Sequence, residues 1–232
     1  MLRSQSAHGY AGPTESGLRK GIAMHTLYGT QGSGSAAIEV ALNRTGVRYK
    51  IVRASSWESD SAIAQLAKHN PLKQVPTLVL PDGSVLTESA AILIHLGLTY
   101  PAATLLPANP TKRGQQIRGL VFIAANCYSA ISISDYPQRW STSKDSAVHE
   151  SVRQAARKQL HRHWEIFADT FPGTPYLAGR SPGALDFLAA VVSKWSGTRA
   201  HLRKARPEFF QTLEKIEQHA AVAPVFANHW PL

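Results

Sequence analysis

An α/β half followed by an all-helical half is the architecture this sequence predicts, and three observations carry the prediction. From residue 24 to about 100, short β-prone runs alternate with helical patterns. Asp82-Gly83 lies between two apolar runs, a strong local signal for a β-hairpin. Beyond 101–110, a segment holding three prolines, no alternation of period two survives and only helical periodicity remains.

The elements follow in order. Residues 1–23 are rich in Ser, Gly and Ala, lack apolar periodicity, and have no apolar core of a secretory signal. They are read as a flexible extension outside the fold. A strand is expected over 25–28, then a helix over 33–45 stopped by Gly46. A strand over 48–53 and a helix over 59–69 come next. Strands 77–80 and 84–86 flank the turn Pro81-Asp82-Gly83, and a helix over 89–98 opens at Ser89. Residues 24–100 thus form the first domain, 101–110 a linker, and 111–232 an all-helical domain. Its helices are expected over 111–134, 145–171, 185–198 and 207–219. In the second of these, Val152, Ala156, Leu160, Trp164 and Phe167 form one apolar stripe, with Arg153, Arg157, Lys158 and Arg162 elsewhere. Before the third, Gly183 gives up the side-chain cap a serine would supply, and Asp186 partly offsets that loss.

Composition narrows the function classes. At 232 residues and 44% hydrophobic, the chain can bury a large core. No apolar run reaches the roughly 18 residues of a bilayer span, so no membrane partner is expected. A single cysteine rules out an internal disulfide framework and suits a reducing compartment. That residue, Cys127, shares a helix face with Leu120, Ile123 and Ala124 and is assigned to the core. The net charge of +10 is scattered, without a dense basic run, which reads as a solvated surface without a nucleic-acid partner. His161 and His163 are two apart on a helix and diverge, so no metal is expected there. Neither a Gly-x-x-x-x-Gly-Lys loop nor a Gly-x-Ser-x-Gly elbow is present, which removes support for nucleotide hydrolysis and esterase chemistry.

The richest stretch runs from Asn70 to Ser89. Pro76 directly precedes a strand and leaves the backbone groups of Val75 free, suited to pairing with an extended peptide. Ser89 opens a helix whose first N–H groups are free for a carboxylate, and Glu88 beside it suits an ammonium. A small peptide-like ligand with one amine and one carboxylate satisfies all three. These residues resemble the glutathione-binding half of a glutathione S-transferase. The resemblance implies a thioredoxin-like N-terminal domain with a C-terminal helical bundle, and glutathione as co-substrate. It further implies Val75 and Pro76 on the cysteinyl backbone, and Glu88 and Ser89 on the γ-glutamyl end. Lys73 would meet the glycyl carboxylate and Trp57 would wall the site. A cytoplasmic homodimer acting on a small apolar electrophile, without a metal, completes what the likeness implies.

Glutathione chemistry needs a thiolate, favoured by a donor beside a helix N-terminus. The turn Tyr28-Gly-Thr-Gln-Gly-Ser-Gly-Ser35 looks most like that of the bacterial beta-like group. Gly34 stands where that group keeps a cysteine, and Ser35 falls on the serine beside it. Ser33, Ser35 or a nest of backbone N–H groups can serve as the donor, and the turn can also be a simple helix cap. In the segment 120–129, Tyr128-Ser129 replaces a His-Lys pair frequent in that group. Tyr128 is a hydroxyl donor, an electrophile-site wall, or a packed aromatic. Two functions are compatible with this pattern: a transferase, or a glutathione- or protein-binding module of the same fold without turnover.

Overall fold

The computed structural model describes residues 24–58 and 60–231. The extension expected at 1–23 and the first residue of the helix expected at 59–69 lie outside the described residues. The first domain runs β1 (His25–Gly29), α1 (Ser35–Thr45), β2 (Tyr49–Arg53), α2 (Ile63–Leu66), β3 (Thr77–Val79), β4 (Val85–Thr87) and α3 (Ser89–Thr99). Its sheet has the order β2-β1-β3-β4. β1 pairs parallel with β2, with His25 opposite Tyr49, and antiparallel with β3, with Leu27 opposite Leu78. The thioredoxin-like half expected from the sequence is present.

Strand alternation splits the burial of β1. Leu27 enters the main core with α1 and α3, whereas its neighbour Tyr28 packs on the opposite face with Ala54 and Leu66. Gly46 ends α1 in the left-handed region at φ 71°, donating its N–H to the Asn43 carbonyl. The hairpin turn closes through Leu80 N–H to the Ser84 carbonyl at 2.8 Å, with Gly83 at φ 87°.

Three helical expectations need correction. The helix expected over 59–69 shrinks to Ile63–Leu66. Ser61 is taken up by Ser55, donating its hydroxyl to that carbonyl at 2.8 Å and accepting its N–H at 3.2 Å, which competes with helix formation. The helix expected over 185–198 ends at Val192. Positive φ at Ser196 and Gly197 breaks it, and α8 (Thr198–Ala205) starts afresh. A last helix, α10 (Ala223–His229), follows α9 (Pro207–Gln218) and has no counterpart among the expected helices.

Residues 101–110 are compact: a 3-10 turn (Pro101–Ala103) leads to α4 (Pro110–Phe122), capped by the Asn109 side chain, which accepts from Lys112 N–H at 2.9 Å. The helical run continues through a π-helical turn (Ile123–Tyr128) into α5 (Ser129–Asp135). By length and composition Pro110–Asp135 could cross a membrane, contrary to the expectation from apolar runs. Leu120, Ile123, Cys127, Ala130 and Ile131 on it are buried in the core instead, and it packs against α6 (Ser146–Thr170) and α7 (Ala184–Val192). Burial pushes the Cys127 thiol pKa well up, which leaves it protonated and inert. The expected stripe on α6 is the buried one, with Ala156, Leu160, Trp164 and Phe167 inside and Val152 half-buried.

α7 begins at a carboxylate with three backbone donors. Asp186 accepts N–H groups from Leu177 (2.7 Å), Ala178 (3.0 Å) and Gly183 (2.9 Å). This supplies the offset for the missing cap at Gly183. Helices α1 and α3 pack on α7, so the two halves share one core.

Candidate functional site

The turn after β1 is tied down from several sides. Ser33 Oγ donates to the Thr30 carbonyl at 2.7 Å, and Ser35 Oγ lies 2.9 Å from Ser33 Oγ and 3.2 Å from the same carbonyl. Both serines are buried, so their hydroxyls are spent inside the turn that leads into α1. Thr30 Oγ1 donates to Glu58, which also pairs with Arg53 at 2.9 Å. The Arg53 guanidinium, with help from Thr30, holds the Glu58 carboxyl below the usual carboxylate range. On the far side, Gln31 Nε2 donates to the Asn228 carbonyl at 2.7 Å, and Gly32 N–H donates to His229 Nδ1 at 3.2 Å.

The start of α3 supplies a second wall. Glu88 precedes it at φ 64°, ψ 113°, a costly conformation for a side-chain-bearing residue that tends to persist at ligand sites. Its carboxylate is exposed and has no ion-pair partner among the described residues. Ser89 is the buried first residue of the helix. Val75 precedes the cis bond to Pro76, is half-buried, and has no backbone hydrogen bond among the described residues. Lys73 is exposed at φ 54°. Trp57, beside Glu58, is 59% exposed.

The third wall comes from the helical domain. The π-helical turn at Ile123–Tyr128 holds one more residue per hydrogen-bonded ring than an α-turn. It therefore rotates the residues after it by roughly 100° relative to an uninterrupted α-helix. Its last residue, Tyr128, points its hydroxyl at Gly34. A Cβ added to Gly34 would lie 2.5 Å from Tyr128 Oη, 3.3 Å from Ser89 Oγ and 3.4 Å from Pro76 Cδ. Three residues from three separate segments therefore meet over the one position without a side chain. Burial pushes the Tyr128 pKa up to about 12, the Glu88 charge adds to this, and a hydrogen bond with Ser89 opposes it. At neutral pH Tyr128 is thus a hydrogen-bond donor and not a base. Its ring packs on Trp195 with centroids 5.8 Å apart.

Of the residues singled out in the sequence, Pro76, Ser89 and Tyr128 converge, with Val75 and Glu88 their immediate chain neighbours. Ser33 and Ser35 turn inward. Tyr28, the residue before the turn, faces the other side of the sheet. His161 and His163 take separate partners, the carbonyls of Ser196 and Asn126, each at 3.1 Å. Sequence reasoning missed Trp195 and the pair His229–Glu39, 2.7 Å apart and 190 positions distant in the chain. No local pattern marks a pair at that separation.

Comparisons with known proteins bear on the family and the fold. The family model described as the glutathione S-transferase N-terminal domain matches residues 23–97. Among curated proteins, the uncharacterised GST-like protein YncG of Escherichia coli (strain K12) is 30% identical over 174 residues, covering 74% of this chain and 82% of that one. A probable maleylacetoacetate isomerase of Caenorhabditis elegans is 42% identical over 76 residues, 33% of this chain and 34% of that one. Among solved structures, a glutathione transferase homologue from Sulfitobacter with bound glutathione superposes with a TM-score of 0.76 at 24% identity, covering 88% of this chain and 97% of that one.

Proposed function

Because this chain belongs to the glutathione S-transferase superfamily, we propose that it binds glutathione with the thiol over Gly34 and ionises that thiol through the Tyr128 hydroxyl. The carrying observation is the convergence of Tyr128 Oη, Ser89 Oγ and Pro76 on the space a side chain at Gly34 would fill. The beta-like resemblance puts a cysteine at this position. Here a phenol delivered by the helical domain takes the place instead. A phenol protonated up to about pH 12 donates a hydrogen bond to a thiolate without giving up its proton. The free backbone of Val75 suits the cysteinyl unit of the ligand. Glu88 and the N-terminus of α3 suit its γ-glutamyl amine and carboxylate. Lys73 and Trp57 are assigned to the glycyl end and the outer wall.

The bound thiolate then attacks a small apolar electrophile, and its proton leaves to solvent on binding. Trp195, packed on Tyr128, supplies an apolar surface for that second substrate. The likeness to an isomerase extends the reading to rearrangements that begin from the same thiolate.

Titration of the purified chain with glutathione, followed by near-ultraviolet thiolate absorbance, tests both halves of the reading. The bound thiol pKa is expected at least one unit below that of free glutathione, equivalent to about 1.4 kcal/mol. Glu88→Ala is expected to weaken binding by roughly 1.5–3 kcal/mol through loss of a charge-assisted contact. Undiminished binding in that variant would remove the ligand pose. A normal thiol pKa in the wild type would leave a glutathione-binding module without turnover.

The assembly we propose is a symmetric homodimer, the commonest closure for such chains. Leu98 on α3 and Val121 on α4 leave large apolar side chains exposed, as an interface requires. Light scattering is expected to return twice the 25.2 kDa subunit mass, and a monomer at micromolar concentration would rule the assembly out.

A further inference from the structure

His229, the last residue of α10, reaches the turn that frames Gly34 from the opposite end of the chain. Its ring is 6% exposed and both nitrogens are engaged. Nδ1 accepts the Gly32 N–H at 3.2 Å, and Nε2 lies 2.7 Å from Oε1 of Glu39, itself buried on α1. A nitrogen that accepts from a backbone N–H carries no proton, so the proton of the neutral ring sits on Nε2 and is donated to Glu39. Glu39 thereby sets both the tautomer and the orientation of the ring. Gly32 stands at φ 69°, and the second contact, Gln31 Nε2 to the Asn228 carbonyl, closes beside it. α10 is thus fastened to the turn at two consecutive residues, immediately before the Ser33–Ser35 hydrogen bonds that lead to Gly34.

We infer that His229 is a positioning residue for thiol ionisation: through Gly32 it fixes the turn whose Gly34 faces the Tyr128 hydroxyl. This rests on the reading of the site given above. The geometry explains why the ring must accept at one nitrogen and donate at the other. The accepting nitrogen holds the turn, and the donating one holds the ring. Sub-ångström placement of the turn matters because a donor–thiolate hydrogen bond weakens steeply with misalignment.

Two substitutions separate this role from a merely structural one. In His229→Asn the amide oxygen occupies roughly the place of Nδ1 and retains an acceptor for Gly32, but it cannot reach Glu39. In His229→Gln the amide reaches Glu39 and leaves Gly32 N–H without its acceptor. His229→Asn loses the buried bond to Glu39 and His229→Gln the part-buried bond to Gly32, so the melting temperature should fall at least as far in His229→Asn. Their chemistry should diverge. His229→Gln is expected to raise the bound thiol pKa and to lower turnover with an activated aryl halide about tenfold, while His229→Asn stays within about threefold of wild type. Binding of S-methylglutathione, which has no thiol to ionise, should be unchanged in both.

Equal effects of the two variants on the thiol, or a wild-type thiol pKa in His229→Gln, would overturn the inference. A wild type that never lowers the thiol pKa would instead bring down the thiol-ionising reading itself, and with it this role. Hydrogen exchange on the unsubstituted chain adds a check that does not depend on a variant folding. The Gly32 amide should be protected to the level of the α1 amides, and rapid exchange there would exclude the contact.

Discussion

Tyr128→Phe is expected to lower kcat/KM with an activated aryl halide about 10²-fold, on the scale measured when a single donor to a developing anion is removed. The loss arises in the thiol. Without the phenolic O–H, the bound sulfur has one donor fewer, its pKa rises, and the thiolate fraction at neutral pH falls in proportion. Glutathione affinity should change little, because the hydroxyl aims at the space over Gly34, where the sulfur is proposed to sit, and not at the proposed place of the ligand's peptide backbone. Shape is preserved too, since the phenylalanine ring keeps the packing against Trp195. Ser33→Ala and Ser35→Ala serve as controls. Both hydroxyls are engaged with the Thr30 carbonyl, so each loss loosens the turn and has a smaller effect on the thiol. Gly34→Ala provides a steric counterpart: its methyl would stand 2.5 Å from Tyr128 Oη and displace the donor without removing it. Full activity in Tyr128→Phe would return the donor role to the turn itself, through Ser33, Ser35 or the backbone of residues 30–34.

The second large effect is on stability. Asp186→Ala removes the fully buried acceptor of three N–H groups, those of Leu177, Ala178 and Gly183. Unpartnered buried donors cost about 1–3 kcal/mol each, with partial relaxation, so a total loss of roughly 3–5 kcal/mol is expected. In a chain of this length that lowers Tm by roughly 10 °C. Desolvation raises the carboxyl pKa to about 6, while the three backbone donors oppose the rise. The raised value sets the sign of the pH dependence. Between about pH 4 and 6 the unfolded chain is ionised at this residue and the folded chain is protonated, so folding takes up a proton. Stability from this group is therefore greatest below pH 4 and declines as pH rises to 6, by about 3 kcal/mol. Exposed carboxylates held by arginines, such as Asp169 beside Arg206, act in the opposite sense and lose their smaller contribution on acidification. The difference between wild type and Asp186→Asn isolates the buried group, because the amide does not titrate. Parallel pH profiles for the two chains would show that Asp186 keeps a normal pKa.

Several features were legible from residues close together in the chain. The Asp82-Gly83 turn, the Gly46 stop of α1, and the stripe Ala156, Leu160, Trp164 and Phe167 on α6 depend on local dihedral preference or helical periodicity. The same holds for the stretch around Val75-Pro76 and Glu88-Ser89, where proline and the start of a helix leave free backbone groups. The helix expected over 185–198 passed over the break after Val192, although the apolar run ends there and Ser196-Gly197, a turn dipeptide, takes positive φ. Not legible was α10, which is short and has Pro224 in its first turn.

Residue patterns alone place an α/β half before a helical half, and likeness to the beta-like group puts Gly34 where that group keeps a cysteine. Tertiary structure decided what fills that place. Ser33 and Ser35 looked like equal candidates because sequence shows a hydroxyl but not its partner, and both partners turned out to be the Thr30 carbonyl. Tyr128 became the facing group through a π-helical turn that no periodicity announces, and through the packing of α4 and that turn against α7, on which α1 and α3 of the first domain also pack. His229 reached the turn across almost the whole chain. The physical reason is range. Dihedral preferences, caps and periodicity act over a few residues. The direction of a hydroxyl or an imidazole in a cleft is set by which surfaces the folded core brings together.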